Sequence, residues 1–197
     1  LEVHENPPAP VPTSVDGSFA RCSDDGPAHL SVVEVPGLAF AWYDQAVGGG
    51  KIAEGSQFLS NSTTNTTYFV ESIASHGVLI CTSTNRTPIK LIVNPSPAKP
   101  VPVKPTISIA ECEDIPAFSV VAGAGMNYVW YSGTGATRAP VATNVTFTPP
   151  TKASGKFEVF AVSTNTGCIS KEPAVVELVV KPAVKIQLSA VSVPSGE

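Results

Sequence analysis

The residues best able to form covalent bonds in this 197-residue chain are four cysteines, Cys22, Cys81, Cys112 and Cys168. The first two are 59 residues apart and the last two are 56 apart, so the chain contains two pairs of similar spacing. No CxxC pattern and no neighbouring histidine accompanies them, which excludes the common zinc-site patterns. An even count at matched spacing predicts disulfides and an oxidising compartment, with reduced buried thiols as the alternative.

The three histidines, His4, His29 and His76, are the residues best suited to general-base catalysis near neutral pH. All of them lie in the first half of the chain, and no GxSxG nucleophile elbow accompanies them. We therefore interpret them as surface or loop histidines. The sequence predicts no catalytic residues and no enzymatic activity.

A glycine-rich segment, Gly48-Gly49-Gly50-Lys51, has some features of a phosphate-binding loop. Ile52 follows the lysine where such a loop requires Ser or Thr, and no helix is indicated after it. Because glycine supplies the positive φ that tight turns require, the segment predicts a hairpin turn.

Acidic residues surround the first cysteine of each pair. Carboxylate oxygens suit a hard cation, so a calcium site is one interpretation of these residues. No DxDxDG loop is present, and a solvated loop is the other interpretation. The residues are Asp24, Asp25, Glu111, Glu113 and Asp114.

The composition is that of a folded, turn-rich chain: 43% of residues are hydrophobic, 14% are charged, and there are 19 prolines and 15 glycines. A net charge of −4 with scattered lysines lacks the basic footprint of a nucleic-acid-binding protein. No apolar run approaches the roughly 20 residues of a membrane-spanning helix. We expect no nucleic acid partner, no membrane span and no cofactor or metal.

An internal repeat organises the chain. A shift of 87 to 90 residues places Trp42-Tyr43 near Trp130-Tyr131 and each cysteine near its counterpart. The same shift matches two further aromatic positions and the last strand-like run. The chain is therefore predicted to contain two copies of one module. These further matches are Phe58 with Phe147, Tyr68 with Phe157, and Leu91 with Leu178.

Within each copy, apolar residues alternate with a period of two, and the runs are short and end in Gly, Pro, Asn or Ser. This pattern over about 90 residues predicts an all-β fold of two tandem immunoglobulin-like antiparallel sandwiches. The expected core residues are Trp42, Trp130, Phe58, Phe147, Tyr68 and Phe157.

The cysteines are expected to close one disulfide in each sandwich. We expect the start of the second strand and the end of the sixth strand to meet at one pole. This arrangement predicts the pairs Cys22–Cys81 and Cys112–Cys168. Closing a loop of that length would stabilise a domain by about 4 kcal/mol in the chain-entropy model.

Proline-rich segments mark the domain boundaries. Alternating proline favours an extended, semi-rigid polyproline II conformation, so we expect the two domains to form an elongated rod. The predicted parts are 1–12, the end of a preceding repeat with its linker; 13–94, the first domain; 95–104, the linker; 105–181, the second domain; and 182–197, the start of a third repeat.

The motifs of the first copy resemble an immunoglobulin-like repeat of large surface proteins of Bacteroidota. They are Ala41-Trp-Tyr-Asp44, Val47-Gly-Gly49, Thr66-Thr-Tyr-Phe-Val70, Cys81 and Asn85-Arg-Thr-Pro88. The second copy keeps Trp130-Tyr131 and Gly167-Cys168 but departs at Ser132–Gly135 and at Lys171–Pro173. The resemblance implies an extracellular location, in giant adhesins such as gliding-motility adhesins exported by the type IX system, or in polysaccharide-degrading proteins.

The expected function is that of a non-catalytic spacer in a cell-surface adhesin. The expected partners are neighbouring repeats, with a surface polysaccharide or a secretion or motility apparatus as further candidates. The alternative is a carbohydrate-binding accessory module of a secreted polysaccharide-degrading protein. In that alternative Tyr43 and Tyr131, which alternate with the tryptophans, would stack on sugar rings.

Overall fold

The computed structural model describes residues 4–183, and the predicted start of a third repeat lies almost wholly outside them. The fold is all-β. The chain divides into two compact units, unit 1 (Leu1–Ser96) and unit 2 (Pro97–Glu197). Within the described residues, no helix has the length and apolar character needed to cross a membrane.

Unit 1 is a sandwich of a large sheet and a two-stranded sheet. The large sheet has the order β1-β8-β6-β3-β4, with β7 also paired to β6, and the small sheet pairs β2 with β5. The strands are β1 (Ser18–Cys22), β2 (Ala28–Ser31), β3 (Leu38–Tyr43), β4 (Lys51–Glu54), β5 (Gln57–Ser60), β6 (Thr66–His76), β7 (Leu79–Thr82) and β8 (Thr87–Asn94).

Unit 2 has the same construction. Its five-stranded sheet has the order β12-β11-β14-β15-β9, and its small sheet pairs β10 with β13. The strands are β9 (Thr106–Ala110), β10 (Phe118–Ser119), β11 (Met126–Ser132), β12 (Ala139–Ala142), β13 (Thr146–Phe147), β14 (Gly155–Ser163) and β15 (Ala174–Lys181). A single 3-10 turn, Gly135–Thr137, lies between β11 and β12.

The first strand of each sandwich changes sheets. In unit 1, Pro12 forms an isolated bridge to Val32 beside the small sheet, and β1 then pairs in parallel with β8 of the large sheet. Gly17 makes this crossing with a φ of +73°, a conformation that residues with a Cβ rarely adopt. In unit 2, Pro102 bridges Val120 before β9 pairs in parallel with β15.

Because the first strand of each sandwich runs parallel to the last strand, the two ends of the sandwich can be told apart. We call the end where the chain enters a unit its N-terminal pole, and the end where the last strand finishes its C-terminal pole. In unit 1 the segment before β1 lies at the N-terminal pole, where the Ser72 hydroxyl donates to the carbonyl of Pro8 and the Asn6 amide donates to Thr84. Because β1 runs with β8, Cys22 lies opposite Asn94 at the C-terminal pole.

One tryptophan lies at the centre of each core. Trp42 and Trp130 have no exposed surface, and their indole N–H groups donate to the carbonyl oxygens of Gly55 and Asn144, each at 2.8 Å. These bonds satisfy the one polar group that each buried side chain carries. Each tryptophan can therefore be buried completely.

The other expected core residues lie around these tryptophans. Phe147 is buried, whereas Phe58, Tyr68 and Phe157 are partly buried and pack against the cores. The Tyr68 hydroxyl is hydrogen-bonded to the buried Ser60 hydroxyl at 2.6 Å, so this ring also has a satisfied polar end. The cores are thus aromatic clusters between the two sheets of each sandwich.

Candidate functional site

The histidines lie apart from any arrangement suited to catalysis. His29 is exposed on β2, and the rings of His4 and His76 stack at a centroid distance of 4.2 Å near the N-terminal pole of unit 1. Among residues 4–183, no three His, Cys, Asp or Glu side chains converge as metal ligands would.

Two of the acidic residues near the cysteines, Asp25 and Glu113, close turns. In unit 1 the Asp25 carboxylate accepts the backbone N–H of Cys22 at 2.9 Å. In unit 2 the Glu113 carboxylate accepts the N–H of Ala110 at 2.8 Å, in the turn that follows β9. Because these carboxylates bind N–H groups three residues earlier, they terminate β1 and β9. Asp24 and Asp114 are exposed.

The glycine-rich segment forms the turn between β3 and β4, and an arginine binds it. Gly48 and Gly49 both have a φ of +69°. The Arg86 guanidinium donates to the carbonyl oxygens of Gln45 at 2.9 Å and Gly48 at 2.6 Å. The turn therefore presents carbonyl oxygens to a cation, which is the opposite of the N–H cradle that binds phosphate.

Neither predicted disulfide pair forms. Cys22 and Cys168 are the disulfide-bonded cysteines, whereas Cys81 and Cys112 are free thiols. The predictions Cys22–Cys81 and Cys112–Cys168 were wrong because they placed both cysteines of a unit at the same pole. The second and sixth strands run in the same direction, so the start of one and the end of the other lie at opposite poles.

The strand registers give the size of this separation in unit 1. Cys22 lies opposite Asn94, whereas Cys81 lies opposite Ala74 near the end of β6. Thr66, at the start of β6, pairs with Leu91. At about 3.3 Å per residue the two cysteines are on the order of 30 Å apart, against Cα separations below about 7 Å in disulfides.

The registers of unit 2 give the same result. Ala110 pairs with Lys181 at the C-terminal pole, and Cys112 lies in the exposed turn that follows. Cys168 lies at the other end of the sheet, where its carbonyl accepts the N–H of Ser163, the last residue of β14. Each unit thus carries one cysteine at each pole.

A buried serine lies two residues after the N-terminal-pole cysteine of each unit and fixes the backbone there. In unit 1 the Ser83 hydroxyl accepts the N–H of Ser72 at 3.3 Å and donates to the carbonyl of Asn85 at 3.0 Å. In unit 2 the Ser170 hydroxyl accepts the N–H of Ala161 at 3.1 Å and donates to the carbonyl of Glu172 at 3.2 Å.

We call this arrangement the serine clasp. Its signal in the sequence is the repeated Cys-x-Ser pattern, Cys81-Thr-Ser83 and Cys168-Ile-Ser170. Both serines are buried, so the clasp satisfies polar groups that would otherwise be unpaired. Cys81 and Cys168 therefore occupy the same backbone position in the two units.

Alkylation without prior reduction is expected to modify Cys81 and Cys112 only. The reason is that these two thiols are free, whereas Cys22 and Cys168 are disulfide-bonded. Peptide mapping after labelling with one reagent before reduction and a second reagent after it would assign each cysteine. Labelling of Cys22 or Cys168 by the first reagent would contradict the structure.

Tyr43 belongs to a three-residue cluster on the outer face of the large sheet of unit 1. The Arg86 guanidinium carbon lies 3.3 Å from the centroid of the Tyr43 ring, within cation–π range. The Glu71 carboxylate accepts from the Tyr43 hydroxyl at 2.6 Å and from Arg86 Nε at 3.1 Å. All three side chains are partly buried, and each holds the other two in position.

Unit 2 builds a similar cluster around Tyr131. The Arg138 guanidinium carbon lies 5.2 Å from the Tyr131 ring centroid and 4.6 Å from that of Phe160, and Arg138 donates to Glu158 at 3.2 Å. The Tyr131 and Phe160 rings meet edge to face at 5.7 Å. We call the two clusters the arginine–tyrosine clamps.

The two clamps use residues from non-equivalent positions. Arg86 precedes the last strand of unit 1, whereas Arg138 lies between β11 and β12 of unit 2. Tyr43 pairs with Phe69 on the neighbouring strand, whereas Tyr131 pairs with Glu158. The position opposite the tyrosine is therefore aromatic in unit 1 and acidic in unit 2. In each unit an arginine covers the tyrosine that was expected to contact sugars.

Replacing Glu71 with Gln is expected to lower the pKa of Tyr43. The hydrogen bond to Glu71 is the main cause that raises this pKa above 10.0, followed by burial and by the negative charge of Glu71. A raised pKa in the folded state stabilises the protein below the unfolded-state value, and this stability is lost as the pH rises through the folded-state pKa. Phenolate absorbance during an alkaline titration measures the change, and Tyr43→Phe identifies the Tyr43 transition. An unchanged Tyr43 pKa in Glu71→Gln would contradict the clamp.

Comparison with known families finds a match in the first half of the chain. Residues 7–95 match the family model described as "Ig-like domain CHU_C associated", a domain of Bacteroidota-type cell-surface proteins. No curated protein matches the chain.

Solved structures that are similar to this chain come from proteins of several kinds. Fibronectin(III)-like modules of CbhA from Clostridium thermocellum have a TM-score of 0.41 and 12% identity, covering 88% of this chain and 94% of theirs. The N-terminal domains of the Hoc outer capsid protein of bacteriophage RB49 have a TM-score of 0.44 and 12% identity, covering 87% and 69%. Drosophila N-cadherin EC1–3 has a TM-score of 0.32 and 11% identity, covering 90% and 68%.

Proposed function

Since residues 7–95 match the model of the CHU_C-associated Ig-like domain, we propose that the chain is a non-catalytic extracellular segment of a large cell-surface adhesin. Its function is to extend the protein and to space binding elements that lie elsewhere. The observation that carries this proposal is that the chain enters and leaves each sandwich at opposite poles. Units of this kind can be joined in series without a reversal of the chain.

The polar side chains support the same proposal. The arginines, tyrosines and glutamates that could form a binding site are paired with one another in the clamps. Two of the acidic residues beside the cysteines, Asp25 and Glu113, close turns. These groups therefore contribute to the rigidity of each sandwich, which suits a spacer.

The segment between the repeats supports spacing as well. Residues 95–104 contain Pro95, Pro97, Pro100 and Pro102, and proline at this density favours an extended chain. The end of the segment is held by unit 2, because Val101 accepts from the N–H of Val121 and Val103 donates to the carbonyl of Ser119. We propose that this leaves only a short, stiff connection between the repeats.

The adhesin role extends to surface adhesion or gliding motility, with export by the type IX system. The proposed partners are neighbouring repeats and either a surface polysaccharide or the secretion or motility apparatus. The resemblance of the motifs around Trp42, Cys81 and Arg86 to repeats of such adhesins supports this assignment.

Segment replacement in the parent surface protein tests the spacer function. Deleting these two units should reduce adhesion, and inserting an unrelated pair of β-sandwich domains of the same length should restore it. A spacer acts through its length and stiffness, whereas a binding module acts through its own surface. Failure of the length-matched replacement, together with rescue by the natural segment, would contradict the proposal.

The alternative, a carbohydrate-binding accessory module, remains a prediction. The clamps argue against it because Arg86 and Arg138 lie over Tyr43 and Tyr131. Retention of the chain on a panel of immobilised polysaccharides would favour the alternative if Tyr43→Ala or Tyr131→Ala abolished it.

A further inference from the structure

The free thiol of Cys81 lies at a position that is disulfide-bonded in the other unit. Cys81 and Cys168 both face the end of the sixth strand and both precede a serine clasp by two residues. Cys168 is disulfide-bonded and Cys81 is free. The same scaffold therefore presents one bonded cysteine and one free cysteine at the N-terminal poles of the two units.

The cysteines of the C-terminal poles show the same division. Cys22 ends β1 and is disulfide-bonded, whereas Cys112 lies in the corresponding turn after β9 and is exposed and free. The turns are alike because Asp25 donates its N–H to Cys22 and Glu113 donates its N–H to Ala110. The two bonded cysteines are thus one N-terminal-pole cysteine and one C-terminal-pole cysteine. The same is true of the two free cysteines.

An exposed apolar tip accompanies Cys81. The hairpin between β6 and β7 carries Val78, Leu79 and Ile80, whose exposed fractions are 99%, 53% and 71%. Three adjacent exposed apolar residues beside a free thiol form a small contact surface at the N-terminal pole. A neighbouring polypeptide that reached Cys81 would cover them.

We propose that Cys81 and Cys112 form disulfides between successive repeats. Cys81 pairs with the C-terminal-pole cysteine of one neighbouring repeat. Cys112 pairs with the N-terminal-pole cysteine of a different neighbouring repeat. The proposal rests on the serial arrangement in the proposed function. The occupant of the apolar tip is then the C-terminal pole of the neighbouring repeat. The cysteines would link the array covalently and limit bending at each joint.

The bond requires a disulfide oxidant, such as a thiol-oxidising protein outside the cytoplasm. The Cys81 thiolate attacks one sulfur of the oxidant's disulfide, and the other sulfur leaves as a thiolate. The thiolate of the partner cysteine then attacks the Cys81 sulfur of the mixed disulfide and releases the oxidant as a dithiol. Two thiols lose two protons and two electrons, and the oxidant takes up both electrons.

A mixing experiment tests whether Cys81, at the N-terminal pole, and Cys112, at the C-terminal pole, preferentially form a disulfide with each other. Cys81→Ser leaves Cys112 as the free thiol, and Cys112→Ser leaves Cys81 as the free thiol. The two variants are oxidised with glutathione disulfide, separately and as an equal mixture. Non-reducing electrophoresis and peptide mapping then count the dimers. We expect several-fold more Cys112–Cys81 dimer in the mixture than like dimers of either variant.

A displaced thiol provides the matched control. Ile52 is exposed on β4, and its neighbours in this strand pair with the middle of the large sheet. Cys81→Ser combined with Cys112→Ser and Ile52→Cys therefore carries one accessible thiol between the two poles. Mixed with Cys81→Ser, this control gives the proportion of mixed dimer that random coupling produces. A Cys112–Cys81 yield no higher than the control would overturn the proposal. The spacer function would be unaffected, because its tests do not involve Cys81 or Cys112.

Discussion

Truncation of Trp42 to alanine is expected to destabilise unit 1 by about 3–5 kcal/mol. The side chain is fully buried, so its removal leaves a large cavity between the sheets. It also leaves the carbonyl of Gly55 without the indole donor that it has at 2.8 Å. A loss of this size is a large part of the roughly 5–15 kcal/mol that stabilises a typical domain.

Urea unfolding followed by circular dichroism would measure this loss. Trp42→Phe is the matched control, because it keeps an aromatic ring in the core and removes the N–H donor, and its cost should be clearly smaller. The emission of Trp130 reports separately on unit 2, which has its own core. Unchanged stability of the Trp42→Ala protein would show that the Trp42 side chain of β3 does not face the core.

Truncation of Phe118 to alanine is expected to destabilise unit 2 by a similar amount, about 3–5 kcal/mol. Phe118 is fully buried and lies within 6.3 Å, between ring centroids, of Trp130, Phe147 and Phe157. Its removal therefore takes away the contacts that this ring makes with the other three. Chemical denaturation monitored by Trp130 fluorescence would measure the change.

The chain itself provides the control for this experiment. Leu30 pairs with Phe58 in unit 1 as Phe118 pairs with Phe147 in unit 2, and Leu30 is also fully buried. Phe118→Leu therefore introduces the residue that the other repeat uses, and it should cost less than about 1.5 kcal/mol. An equal loss in the free energy of unfolding for Phe118→Ala and Phe118→Leu would contradict the packing of this aromatic cluster.

Period-two alternation was sufficient to predict the all-β fold from the sequence. Strands such as β8 and β9 bury every second residue against the core, and apolar residues at those positions report that directly. Trp42 and Trp130 mark the same strand in both units because each fills the centre of its core. Local patterns of this kind need no knowledge of how the strands are connected.

The cysteine pairing could not be predicted in this way, because it depends on the direction of strands distant in sequence. The register that places Cys22 beside Asn94 follows from the change of sheet at Gly17, and nothing in the local sequence around Cys22 states it. The repeated Cys-x-Ser pattern was visible, but its meaning depends on the backbone groups that Ser83 and Ser170 reach.

The clamps were missed for a different reason. The repeat comparison aligns equivalent positions, and Arg86 and Arg138 do not occupy equivalent positions. Only the three-dimensional structure shows that both reach the ring of the tyrosine that follows the core tryptophan. Alternation correctly placed Tyr43 and Tyr131 on the outer face, but it could not show that an arginine lies over each of them.

Small-angle X-ray scattering of the 197-residue chain tests the central claim, that the two repeats form an extended spacer. The account predicts a radius of gyration well above the roughly 16 Å of a compact globule of this length. Replacing Pro95 with Gly should broaden the distance distribution while both units stay folded, because Pro95 is exposed and glycine removes the restriction that proline places on the connecting segment. A compact scattering profile for the unaltered chain would contradict the spacer function.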